Sequence, residues 1–186
     1  MRLFGKKVAS TTKGYIMGNN AKTTQFLKEC MADALINLMS RKSVSDITIE
    51  EIAASAGVHR STWFRNFTSK SEAITFKLTT LWFKWADRRG VKIQNRYDIS
   101  NARDFFLFNY EIREVIVIIY NAKMQSAIFD AFYTVMTPQY GANAEECYEA
   151  RFYSYGLFGL LDEWVRRGFC ETHEEMAEIF HKVMGK

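Results

Sequence analysis

"TIEEIAASAGVHRSTWFRNFTSKSEA", residues 48–73, sets two hydroxyl-to-carboxylate spacings on either side of a single glycine. Thr48 and Glu51 form T-x-x-E, in which the hydroxyl accepts from an early orphan amide while the carboxylate answers back, so a helix starts there. It runs to about Ala56, because Gly57 suits the positive φ of a sharp turn and Val58 tucks an apolar side chain under the corner. A second short helix follows over about 59–67. Ser69 and Glu72 then repeat the signature, and Ile74, Leu78, Leu81, Trp82 and Trp85 carry a longer helix to about Gly90.

Two short helices joined by a tight glycine turn match a helix-turn-helix when the first is buried through Ile52, Ala53 and Ala56 and the second presents a cationic polar face. Val58, Trp63 and Phe67 fill the space beneath. That leaves His59, Arg60, Ser61, Thr62, Arg65 and Asn66 outside, as a helix laid in the major groove requires. Arg60 and Ser61, at the N-terminal end, are best placed for base edges. The hydroxyls of Thr48 and Thr62, the Asn66 amide and the Lys70 ammonium suit flanking phosphates. Phe64 fits either core or contact surface. The bland alternative is a solvated basic face over ordinary aromatic core.

The stretch resembles the DNA-binding signature of the TetR (tetracycline repressor) family over about residues 23–85. That family's turn usually reads G-V-S-x-x-T-[FL]-Y-x-[HY]-F followed by K-x-[EA], and Gly57, Val58, Thr62, Phe67 and Lys70 occupy matching places. Two departures from it matter. Phe64 replaces the usual tyrosine and cannot donate to a phosphate, and Asn66 replaces tyrosine or histidine and can. The resemblance implies an all-α protein, with an N-terminal three-helix DNA-binding domain and a C-terminal helical bundle that pairs two chains and, in many members, binds a small molecule.

Charge supports the same division. Up to residue 90 the chain holds 15 Lys and Arg against 7 Asp and Glu, and from residue 91 the counts are 10 and 14. A basic N-terminal part suits a polyanion, and an acidic C-terminal part suits another task. Aromatic content of 15% with a single proline points to a helical globule. Cys30, Cys147 and Cys170 have neither disulfide-framework nor zinc spacing. Neither an export signal nor a membrane span is visible, so a cytoplasmic protein is expected.

Residues 1–20 read as a basic arm without periodicity, 21–70 as the DNA-binding domain and 71–186 as the regulatory and dimerisation domain. Leu27, Cys30, Met31, Ala34, Leu35 and Leu38 mark helix 1 over about 22–40. A long helix spans about 144–167, and Thr172 with Glu175 opens a last one to about Met184. The stretch "FYSYGLFGLLDEWVRRGFCETHEEMAEIF" is similar to regulators of dihydroxyacetone kinase operons. Within it Gly156 and Gly159 allow close approach of another helix, with Phe152, Tyr155, Leu160 and Trp164 around them, which reads as a dimer face. An intrachain core helix is the alternative. Phe105, Phe106, Phe108, Tyr110, Tyr120, Phe129, Phe132 and Tyr133 could line an apolar pocket or simply form core.

His173 and His181 lack metal-site spacing, and no phosphate loop or nucleophile elbow occurs, so neither cofactor nor enzyme activity is expected. The expected function is a homodimeric repressor released from a palindromic operator on double-stranded DNA by a small-molecule effector. The alternative is an activator or co-activator controlled by a protein partner.

Overall fold

In the computed structural model, residues 19–91, 101–137 and 143–184 are described, and among them every regular element is helical. The order is α1 (Asn19–Met39), a 3-10 turn (Val44–Asp46), α2 (Ile49–Ser55), α3 (Arg60–Asn66), α4 (Lys70–Arg89), α5 (Ala102–Glu111), α6 (Arg113–Asn121), α7 (Ser126–Met136), α8 (Ala144–Arg166) and α9 (His173–Met184). The all-α expectation holds. The basic arm lies outside the described residues except for its last two positions, which begin α1.

Local chemistry sets the helix starts. Thr48 accepts from the Glu51 amide at 3.2 Å while the Glu51 carboxylate accepts from the Thr48 amide at 2.8 Å. The same reciprocal pair opens α9 at Thr172 and Glu175. At α4 the pattern splits: Ser69 accepts from the Glu72 amide, but the Glu72 carboxylate turns to the amide and hydroxyl of Thr68, both at 2.7 Å. Asn143 and Glu146 make a further box at α8 that the sequence reading passed over. The apolar run over 104–124 is broken at Ile112, where φ −100° and ψ 15° end α5 and admit α6 at a new angle.

α4 is the spine. One of its sides packs on α1 and another on α7; α7 packs in turn on α8, and α5 on α9. Lys77 pairs with Asp33 and Lys84 with Glu29, tying α4 to α1, while Thr75 Oγ1 donates to the Ala127 carbonyl at 3.2 Å, tying α4 to α7. One apolar core runs without a break from Ile52, Trp63 and Phe67 through Leu35, Ile74 and Leu78 to Phe106, Ile119 and Trp164. Trp85, Ala86 and Phe108 form a second, smaller cluster at the far end of α4.

Candidate nucleic-acid interface

The α2 helix closes through Gly57 at φ +68°, with the Gly57 amide bonded to the Ala54 carbonyl and the Val58 amide to the Ala53 carbonyl. This pair of bonds is the Schellman closure, which satisfies the last carbonyls while reversing the chain. An added Cβ at Gly57 would meet no atom within 4 Å, so the glycine is there for its backbone angle rather than for space. The reversal delivers α3 across α2. Trp63 and Phe67 are buried beneath it with ring centroids 5.2 Å apart, and burying each stabilises the α2–turn–α3 unit by roughly 1.5–3 kcal/mol.

With those two rings holding one face, the other points to water. His59, Arg60, Ser61, Phe64 and Arg65 are all exposed, and Phe64 at 56% is too exposed to be core. The Arg60 guanidinium lies 4.7 Å from the Phe64 ring centroid and pairs through Nε with the Glu50 carboxylate. Arg65 Nη2 donates to Ser61 Oγ at 3.2 Å. These five form one patch of donors, cations and one aromatic face.

The other four residues expected to touch DNA have local employment. Thr48 is held in its capping box, Thr62 is half-buried, Asn66 Nδ2 donates to the Thr62 carbonyl at 2.7 Å, and Lys70 Nζ donates to the Val44 carbonyl at 2.7 Å. They flank the patch and fix its edges. Glu50 was not anticipated as a site residue, because its partner is ten positions away across the turn, where no local spacing rule reaches. Glu51 is held down to about 2 by the Lys42 ammonium and then by the Thr48 amide.

Of the residues expected at a dimer face, Phe152 and Tyr155 are 67% and 60% exposed, and Gly156 and Gly159 have nothing within 4 Å of an added Cβ. Leu160 is half-buried against the core. Trp164 is a correction. It is 1% exposed inside its own chain, enclosed by the rings of Phe106, Tyr110 and Phe169, with Nε1 donating to the Glu171 carbonyl at 3.0 Å. Tyr148, four residues before Phe152 on the same helix, is 78% exposed.

The expected aromatic pocket divides. Phe105, Phe108 and Phe132 line a cavity of about 80 Å³ behind α4. Phe106 and Tyr110 pack on Trp164, while Phe129 packs on Tyr133 and Tyr155.

Residues 32–72 match the family of bacterial regulatory proteins, tetR family, and residues 99–186 match a transcriptional regulator C-terminal region. Among solved structures the chain is similar to NalD, the secondary repressor of the MexAB-OprM multidrug efflux pump in Pseudomonas aeruginosa. That similarity has 17% identity, 89% coverage of this chain, 95% coverage of that chain and a TM-score of 0.47. No curated protein matches.

Proposed function

The chain belongs to the tetR family of bacterial regulatory proteins and is a DNA-binding transcriptional regulator, and we propose that it works as a homodimeric repressor that a small-molecule effector releases from a palindromic operator. The observation that carries this reading is the exposed face of α3. Its cations and its aromatic ring contribute nothing to the core beneath them, yet a stiff turn and two buried rings hold them in place. In this reading Arg60 and Ser61 meet base edges, Phe64 meets a thymine methyl, and Lys70, Thr48 and Asn66 sit along phosphates.

One recognition helix spans only a few base pairs. A second copy, joined through the strip Tyr148, Phe152, Tyr155, Gly156 and Gly159, sets two such helices roughly 34–36 Å apart on one side of the duplex. The DNA-binding domain of 21–70 and the regulatory domain of 71–186 then communicate through α4, which starts beside α3 and ends among α5 and α7. An effector acts only by binding the non-operator arrangement more tightly, and the difference in affinity sets the size of the response.

Selection of random duplex DNA by the purified protein, with sequencing of the bound pool, tests this. An enriched inverted repeat is the expected result, with steeply salt-dependent affinity and a preference of about 10³-fold or more over random duplex. Folded protein that enriches no motif at low salt overturns the reading.

A further inference from the structure

The cavity behind α4 is almost wholly apolar, yet two of the residues that line it each carry a buried polar atom with no hydrogen-bond partner among the described residues. Trp82 Nε1, a donor on α4, and Asn109 Oδ1, an acceptor on α5, are both shut away from water. Asn109 is 1% exposed, and its amide nitrogen is already committed to the Phe105 carbonyl at 2.8 Å, which leaves the oxygen with nothing to accept. The neighbouring Trp85 shows the usual arrangement, with Nε1 donating to the Glu111 carboxylate at 2.7 Å. Buried polar groups are nearly always paired, because each unpaired one forfeits its hydration. Two orphans of opposite kind, on residues that line one cavity, point to the polarity of what belongs there.

We propose that this cavity takes an uncharged, compact, mostly apolar molecule carrying one hydrogen-bond acceptor for Trp82 and one donor for Asn109, a primary or secondary carboxamide being the simplest chemistry with both. The inference rests on the effector-controlled reading above and names the effector's class. A charge is disfavoured because, among the described residues, no Asp, Glu, Lys, Arg or His lines the cavity to compensate it. Size is bounded too: about 80 Å³ is roughly half of the cavity that holds a benzene ring, so the ligand is small or has to press the walls apart. Two of those walls, Leu78 and Trp82, belong to α4.

The test uses three near-isosteric probes on the full chain without DNA: isobutyramide, isobutyrate and 2,3-dimethylbutane. Binding is followed by the indole N–H resonances, with Trp82 assigned by its loss in Trp82→Phe. Saturable binding of isobutyramide in about the millimolar range is expected, with a downfield shift of the Trp82 N–H and at least about tenfold weaker binding of isobutyrate. Trp82→Phe and Asn109→Leu should each weaken isobutyramide by about five- to tenfold while leaving the hydrocarbon bound as well or better, which also reports an intact cavity.

Equal affinity for amide and carboxylate, an unmoved Trp82 resonance, or no saturable binding of the amide overturns the proposal. Because no DNA is present, these results are independent of operator binding, whose failure would instead count against the regulator reading.

Discussion

Helix α3 and helix α8 both hold large aromatic side chains out in water, and their surroundings differ. Phe64 on the seven-residue α3 is bracketed by Arg60 and Arg65. On the 23-residue α8, Tyr148 and Phe152 each follow an acidic residue, Glu145 and Glu149, by three positions, while Tyr155 packs on Phe129, over which the Arg151 guanidinium lies, and two glycines stand further along the helix. An aromatic ring among cations suits a polyanion whose bases offer methyl groups and π faces. The carboxylates beside Tyr148 and Phe152 repel such a partner, and the small residues further along favour another helix. The residue type is shared, and the neighbouring charge decides what each surface can meet.

The sharpest break between the two faces of α8 should come from Trp164→Ala. A ring fully enclosed by Phe106, Tyr110 and Phe169 should cost about 3–5 kcal/mol when removed, measured by urea unfolding. Phe152→Ala, on the opposite face, should leave the unfolding of the monomer within about 0.5 kcal/mol while weakening self-association in sedimentation. If Phe152→Ala unfolds the chain and Trp164→Ala only dissociates it, the assignment of the faces is wrong.

Next in size is the division of labour on the α3 side. Arg60→Ala should lower discrimination between operator and altered operator by about 1–3 kcal/mol, and Lys70→Ala should weaken all duplexes alike with a shallower salt slope. Titrations at several salt concentrations separate the two, and identical behaviour of the variants removes the distinction between base and phosphate contacts. The Lys70 bond to the Val44 carbonyl adds a check, since a stability loss in that variant without a change in salt slope would make the lysine a brace for the turn.

A smaller effect tests the α8 strip from the other direction. Gly159→Ala meets no atom inside the chain, so the isolated monomer should gain about 0.5–1 kcal/mol from the better helix former. Self-association should weaken at the same time, because the new methyl group keeps a partner helix away. A variant that is more stable and equally dimeric places the interface elsewhere.

The α2–turn–α3 unit was legible because its signals are local: a capping box, one glycine in the left-handed region and apolar residues at helical spacing. Nothing beyond four or five residues was needed to place Trp63 and Phe67 inside. The α8 faces were legible only in part, since a long amphipathic helix announces a buried stripe without saying whose side chains cover it. Trp164 carried the same periodic signal as Phe152, and only the fold of α5 and the turn at Phe169 around it makes the difference. The break at Ile112 and the orphan atoms of Trp82 and Asn109 depend on which helices meet, and no spacing in the chain announces them. The Glu50–Arg60 pair bridges two helices in the same way.

The smallest expected effect concerns the box that positions the whole α3 surface. Glu51 ionises at about 2 instead of near 4.5, because the Lys42 ammonium and the Thr48 amide both favour its charged form. A depressed folded-state value means that the contribution to stability is fully present above about 4.5 and is lost as the pH falls towards about 2. Melting temperature followed across that acid range should therefore drop for the parent chain. Glu51→Gln, which keeps an acceptor for the Thr48 amide and loses the charge that holds Lys42, should melt lower at neutral pH and show a flatter acid slope. The pair is only half-buried, so the change should be slight beside that of Trp164→Ala. An acid slope of undiminished steepness in Glu51→Gln assigns the pH sensitivity to other carboxylates, of which Glu72 and Glu175, each held below the usual range first by the amide of a neighbouring threonine, are the next to replace.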